Sequence, residues 1–220
     1  MKYKAVFFDF DYTLGNRDVY AYRLYRKMIE ENSDISDPVE VEAAVQDMMI
    51  WDQKGNETKE YAKKMLKERW NIDLPYDNVN VWWDDRLWQY SCAYPDAEEV
   101  LEKLRGEGYL IGMISNGPSD GQRQKLEQAG LTDLVDSITV SGDIGVKKPD
   151  VRLFQLACER AGVKPEESIM VGDIFARDVL GAYRAGMQAV WYCVEQYMPC
   201  DAEIPVIHSL SELPELLKNI

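Results

Sequence analysis

Short apolar runs alternate with stretches of helical periodicity over most of the chain. Five apolar runs predict buried strands, over residues 4–10, 110–115, 138–140, 168–171 and 188–192. Helices are predicted between them, over residues 96–107, 122–129, 149–161 and 176–185. Asp96 and Glu99 have the spacing of a capping box at the start of the first of these helices. Strands that are apolar throughout and alternate with helices predict an α/β fold with a doubly wound parallel sheet.

Residues 15–92 interrupt this alternation. The stretch contains no apolar run typical of a strand and predicts four helices, over residues 18–31, 38–50, 58–70 and 77–89. The second helix has a clear start, because Asp37 can cap it and Pro38 fits its first position. The sequence therefore predicts a core domain of residues 1–14 and 93–220, and an all-helical domain of residues 15–92 inserted after the first strand.

Composition and charge exclude several classes of partner. The chain has 220 residues, of which 46% are hydrophobic and 29% charged, and its net charge is −14. This acidity argues against binding to a nucleic acid polymer or an anionic membrane, and any anionic substrate needs a local positive site. No apolar run is long enough for a membrane span or a signal peptide, and the four cysteines form no C-x-x-C pair. We therefore expect a cytoplasmic protein with reduced thiols.

The first predicted strand is followed by two carboxylates with close spacing. Asp9 and Asp11 lie two residues apart and share one side of an extended chain. Ligands of open α/β sheets bind outside the carboxyl ends of the strands, and two carboxylates there require a cation or a proton. Thr13 follows them and carries a hydroxyl group. The alternative interpretation is a solvated acidic turn with Thr13 as a turn residue.

Three further segments place polar groups at or near later strand ends. Ser115 and Asn116 end the second strand, Lys148 precedes a helix that begins at a proline, and Asp173 ends the fourth strand with Asp178 shortly after it. A hydroxyl and an ammonium group can both hold an anionic oxygen. Each segment also has an ordinary interpretation: a turn, an exposed lysine pair, and a carboxylate that a helix dipole favours.

Together, the four segments resemble the motifs of the haloacid dehalogenase-like hydrolase superfamily, in the family's order over residues 6–178. The insert at residues 15–92 lies where that family has a helical cap, between the first and second motifs. The resemblance implies a Rossmann-like core, an all-helical cap, and Mg²⁺-dependent hydrolysis of a small-molecule phosphate ester.

The resemblance also implies a role for each acidic residue. Asp9 corresponds to the nucleophile, which forms an aspartyl-phosphate, and Asp11 to the general acid and then base. Asp9 and Asp173 correspond to side-chain ligands of Mg²⁺, and Asp11 to a ligand through its backbone carbonyl. Asp178 is similar to an outer-shell partner. Since true dehalogenases lack the second acid, Asp11 favours phosphate-ester hydrolysis.

Four residues correspond to the family's phosphate site: Thr13, Ser115, Asn116 and Lys148. Lys147 is a weaker candidate than Lys148, because the family's lysine directly precedes the proline. Two residues depart from the common pattern. Tyr12 occupies a position where many relatives have glycine, and Arg177 one where small or amide residues are common.

The substrate is predicted less closely than the reaction. Residues 114–117 and 141–149 are similar to the nucleotidase-like branch of the superfamily, which favours a nucleoside monophosphate. Two alternatives stay open: a phosphotransferase or mutase that passes the phosphoryl group to a hydroxyl, and a catalytically idle binding module with the same fold.

Overall fold

The computed structural model describes residues 2–194 and 198–220. The chain forms two compact units, one made of Met1–Gly15 with Ala93–Ile220 and the other of Asn16–Cys92. We call them the core unit and the helical unit. No helix of the described residues has both the length and the apolar character that crossing a membrane requires.

Four helices build the helical unit: α1 (Arg17–Asn32), α2 (Pro38–Asp52), α3 (Lys59–Trp70) and α4 (Val79–Leu87). The predicted start of α2 is confirmed, because Oδ1 of Asp37 accepts a hydrogen bond from the backbone N–H of Val39 at 2.8 Å. Aromatic rings fill the interior, with the ring centres of Tyr25 and Trp83 4.2 Å apart. The helical unit thus has its own apolar core.

A group of buried charges lies inside the helical unit. The carboxylate of Asp52 pairs with Nη1 of Arg17 at 2.5 Å and with Nζ of Lys59, and the Tyr25 hydroxyl donates to it at 2.7 Å. Burial raises the pKa of Asp52, but the two cations outweigh it, so that the pKa lies below its usual value. We call Arg17, Asp52 and Lys59 the Asp52 cluster.

Six parallel strands form the sheet of the core unit: β1 (Ala5–Phe8), β2 (Leu110–Ser115), β3 (Ser137–Val140), β4 (Ser168–Gly172), β5 (Gln188–Tyr192) and β6 (Val206–Ile207). Their order across the sheet is β3-β2-β1-β4-β5-β6. In this order β1 lies between β2 and β4, and Phe8 is beside both Met113 and Val171. The carboxyl ends of β1, β2 and β4 therefore lie next to one another.

Both faces of the sheet are covered by helices: α5 (Ala97–Gly106), α6 (Ser119–Gln128), α7 (Ser141–Ile144), α8 (Val151–Ala161), α9 (Leu180–Ala185) and α10 (Leu213–Leu216). Val6 and Phe8 belong to an apolar cluster that includes residues of α5 and α10. Ala5 and Phe7 belong to another, which includes residues of α8 and α9. Because successive strand residues point to opposite faces, each face has its own core. The predicted doubly wound parallel sheet is confirmed.

Some local predictions were wrong. The sequence predicted a continuous helix over residues 176–185, but the chain forms a wide π-type turn at Phe175–Val179 before α9. The predicted capping box at α5 does not form, because Oδ2 of Asp96 accepts hydrogen bonds from Ser209 and Ser211 instead. The short elements β6, α7 and α10 were not predicted, since two to four residues are too few to show a period.

Candidate active site

Three carboxylates meet at the carboxyl ends of β1 and β4. Asp9 directly follows β1, Asp173 directly follows β4, and Asp178 lies in the wide turn after it. One carboxylate oxygen from each lies within 4.8 Å of those of the other two. We call Asp9, Asp173 and Asp178 the acid cluster.

Two backbone features bring Asp178 into the acid cluster. Gly172 leaves space for it, since a Cβ at this position would lie 2.4 Å from the Asp178 Cγ. The backbone N–H of Ile174 donates to Oδ2 of Asp178 at 2.9 Å, which fixes the carboxylate across the turn. Asp178 is thereby buried, with 2% of its side chain exposed.

The buried side chain of Lys148 faces the acid cluster. The Lys148 ammonium lies 2.6 Å from Oδ1 of Asp9 and 2.7 Å from Oδ1 of Asp178, and it donates to the Ile114 carbonyl at 2.8 Å. Burial lowers the pKa of Lys148, but Asp178 and Asp9 outweigh this effect, so that its pKa lies above the usual value. The lysine therefore remains charged at neutral pH.

Asn116 holds the backbone that carries this lysine. Its Oδ1 accepts from the Lys148 N–H at 2.8 Å, and its Nδ2 donates to the Lys148 carbonyl at 3.3 Å. Ser115 ends β2 and is 1% exposed. Thr13 is fully buried, and its Oγ1 has no hydrogen-bond partner among the described residues. The structure thus places Ser115 at the end of β2, brings the Lys148 ammonium from the loop before α8 to the ends of β1 and β2, and ties Asn116 to the lysine backbone.

The acid cluster holds more negative charge than its lysine neutralises. Burial, together with Asp178 and against the opposing effect of Lys148, raises the pKa of Asp9 to about 6. Burial, followed by repulsion from Asp9 and Asp178, raises the pKa of Asp173 to about 8. In addition, Oδ1 of Asp173 is buried without a hydrogen-bond partner in the described part of the chain. Hard oxygen donors with excess negative charge fit a divalent cation such as Mg²⁺.

Asp11 lies outside the acid cluster and has cationic and amide partners of its own. Lys125 Nζ lies 2.9 Å from both of its carboxylate oxygens, and Gln122 Nε2 donates to Oδ2 at 3.0 Å. No motif in the sequence indicated Lys125 or Gln122. One signal was available in the helical period of α6. Gln122 and Lys125 lie on the same helix face as the buried Leu126, and polar residues on such a face are unusual.

Tyr12 adopts a backbone conformation that glycine favours. Its φ of 66° lies in the left-handed region, which glycine occupies without strain. The backbone N–H of Tyr12 donates to the Gly15 carbonyl at 2.9 Å, within a tight loop. The strained residue therefore comes directly after Asp11, at the end of the segment that carries both carboxylates.

Comparison with known proteins establishes the family. A family model described as haloacid dehalogenase-like hydrolase matches residues 3–186. The chain belongs to this family. This hydrolase is 31% identical over 222 residues to a glyceraldehyde 3-phosphate phosphatase of Pyrococcus furiosus, with 98% of this chain and 92% of the relative covered. It is 29% identical to a pyrimidine 5′-nucleotidase of Escherichia coli over 99% of both chains. The solved structure of a HAD phosphatase from Thermococcus onnurineus matches with a TM-score of 0.65 at 29% identity, over 97% of each chain.

Proposed function

We propose that this hydrolase cleaves small-molecule phosphomonoesters with Mg²⁺ through an aspartyl-phosphate on Asp9. The observation that carries the proposal is the buried Lys148 ammonium, 2.6 Å from the Asp9 carboxylate and beside two further carboxylates. A carboxylate can attack a phosphate dianion only if fixed positive charge reduces their repulsion. Two relatives support this reaction class, since one is named a phosphatase and the other a nucleotidase.

The reaction has two steps, which use Asp9 and Asp11. First, an Asp9 oxygen attacks phosphorus, the bond from phosphorus to the ester oxygen breaks, and that oxygen takes a proton from Asp11. Second, water attacks phosphorus, Asp11 takes a proton from the water, and the bond from phosphorus to Asp9 breaks. One water is consumed, and one alcohol and one phosphate are released. The presence of Asp11 distinguishes this proposal from dehalogenation, whose leaving group needs no proton.

The phosphoryl oxygens have hydrogen-bond donors around them in this proposal. Lys148 and the hydroxyl groups of Ser115 and Thr13 hold them as charge develops in the transition state. Thr13 supports this role because its buried Oγ1 has no partner among the described residues. Asn116 completes the phosphate site by fixing the backbone of Lys148.

Magnesium would be held by side-chain oxygens of Asp9 and Asp173 and by the backbone carbonyl of Asp11, with Asp178 as an outer partner. When bound, Mg²⁺ neutralises phosphate charge and orients the phosphoryl group. The raised pKa values of Asp9 and Asp173, about 6 and about 8, support this assignment, because they result from burial and unneutralised repulsion.

We assign selection of the leaving group to the helical unit, as the family's cap, with the boundaries near residues 15 and 92. The substrate class is a small phosphate ester, and a nucleoside monophosphate and a triose phosphate are its two leading members. The first follows from residues 114–117 and 141–149 and from the nucleotidase relative, and the second from the relative in Pyrococcus furiosus.

The test is release of inorganic phosphate from a panel of phosphomonoesters, with Mg²⁺ and with chelator. The panel contains nucleoside monophosphates, glyceraldehyde 3-phosphate, other sugar phosphates and phosphoglycolate. We expect metal-dependent release from a few members only. No release by the folded protein would contradict the proposal, and release that requires an added hydroxyl acceptor would indicate a phosphotransferase.

The covalent step has its own test. Asp9→Asn should lower turnover by roughly 10³-fold or more. The substitution removes the carboxylate oxygen that attacks phosphorus, and the other catalytic groups cannot act without it. Asp34→Asn, at an exposed position of the helical unit, is the matched control and should keep wild-type turnover. Acid quenching during turnover, followed by borohydride reduction and mass spectrometry, should locate the modified residue at position 9. Retention of most of the activity by Asp9→Asn would exclude the covalent mechanism.

A further inference from the structure

Asp11 is held by two side chains of α6 that no motif of the sequence analysis included. The Lys125 ammonium contacts both carboxylate oxygens at 2.9 Å, and the Gln122 amide donates to one of them at 3.0 Å. Because both oxygens are engaged, the position of the carboxylate and the orientation of its plane are fixed together.

The two donors are themselves held in place. Lys125 and Gln122 are 7% and 3% exposed, so turning either donor away from Asp11 would leave a buried polar group without compensation. Nε2 of Gln122 also donates to the Asn116 carbonyl at 3.1 Å, which links it to the end of β2. Gly117 leaves room for this amide, since a Cβ there would lie 2.6 Å from Nε2.

Without these donors, two forces would move the Asp11 side chain. The Asp9 carboxylate repels it, and 21% of the Asp11 side chain is exposed to water, which would solvate a displaced carboxylate. Proton transfer requires the carboxyl group to lie within hydrogen-bond reach of the reacting oxygen, and a displacement of about 1 Å can cost roughly 10²-fold in rate.

We propose that Lys125 and Gln122 are positioning residues that act through Asp11, as a clamp that holds its ionised carboxylate toward the water that attacks phosphorus in the second step. The proposal rests on the proposed function, because it concerns how Asp11 serves that reaction. The clamp makes no contact with the phosphoryl group in this assignment, so it affects turnover rather than substrate binding.

A double-mutant cycle tests the clamp on the best substrate of the panel. Lys125→Met and Gln122→Leu should each lower kcat by about 10- to 100-fold and leave KM unchanged. This loss is a part of the ~10²–10⁴-fold rate increase that general acid–base catalysis contributes. In an Asp11→Asn background neither substitution should lower kcat further, because the group they orient is absent. Lys103→Met and Gln128→Leu, at exposed helix positions, are the matched controls and should leave kcat unchanged.

The clamp and the proposed function are contradicted by different outcomes of the cycle. Equal losses of kcat in the wild-type and Asp11→Asn backgrounds, or a change confined to KM, would overturn the clamp. Lys125→Arg keeps the charge and should recover part of the lost kcat. If circular dichroism shows that Lys125→Met does not fold, Gln122→Leu, of similar volume, carries the cycle alone. A folded wild-type protein without phosphate release refutes the proposed function, whereas an active wild type with additive losses refutes only the clamp.

Discussion

Replacement of Lys148 by methionine removes an ammonium group that contacts two carboxylates of the acid cluster, while nearly preserving side-chain length. The ammonium lies 2.6 Å from Asp9 and 2.7 Å from Asp178, and 3% of the side chain is exposed. The variant leaves these carboxylates buried without their shared partner. We therefore expect a less stable protein, and one that does not turn over substrate.

The structure sets the size of the loss in stability. Removing one partner of a buried ion pair costs about 3–5 kcal/mol, because the remaining charge is desolvated without compensation. In Lys148→Met, proton uptake by Asp9 and Asp173 limits this cost, since their pKa values are already raised to about 6 and about 8. We therefore expect a loss in the free energy of unfolding of about 3 kcal/mol at pH 8 in chelator.

The loss should depend on pH in a defined direction. At pH 5 the metal-free wild type holds Asp9 and Asp173 protonated, because pH 5 lies below both raised pKa values. Fewer charges then need the lysine, so the difference between wild type and Lys148→Met should be smaller at pH 5 than at pH 8. Mg²⁺ at pH 8 should restore part of the stability of the variant, because it neutralises the same carboxylates.

Urea denaturation in chelator, followed by circular dichroism at the two pH values, measures these differences. Lys147→Met is the matched control: its side chain is exposed one residue away, and its effect should stay within about 0.5 kcal/mol. A loss below about 1 kcal/mol at pH 8, or an equal loss at both pH values, would contradict this prediction, because either result means that Lys148 does not neutralise the acid cluster.

Two further predictions follow from buried charges. In the proposed metal site, binding of Mg²⁺ would displace protons from Asp9 and Asp173, whose pKa values burial raises to about 6 and about 8. Its affinity should therefore rise from pH 6 to pH 8, and calorimetry in buffers of different ionisation enthalpy should detect release of about one proton at pH 7; an affinity independent of pH would contradict this. Asp52→Ala leaves the two cations of the Asp52 cluster buried without their carboxylate and should cost about 3–5 kcal/mol in urea denaturation. Asp34→Ala, an exposed control, should cost less than about 0.5 kcal/mol, and equal costs for the two variants would show that the cluster does not stabilise the helical unit.

Much of the fold and part of the site could be predicted, because their signals are local. An apolar run such as residues 168–171 predicts a buried strand from its own residues, and Asp37 caps α2 through the next turn of its own chain. The two-residue spacing of Asp9 and Asp11 at the end of β1 is also a local property. Short elements such as α7 gave no such signal, because four residues are about one helical turn.

Local signals along the chain therefore account for the longer strands and helices and for the chemical groups at the strand ends. Tertiary structure decided which of these groups touch. It joins Lys148 to Asp178, pairs Asp11 with Lys125, and turns Asp96 from its predicted capping role toward Ser211. The physical reason is that these partners lie 30 to 115 residues apart along the chain, so that no local period records their pairing. The strand order brings the ends of β1, β2 and β4 together, and burial then selects the charged and hydrogen-bonded partners that each group requires.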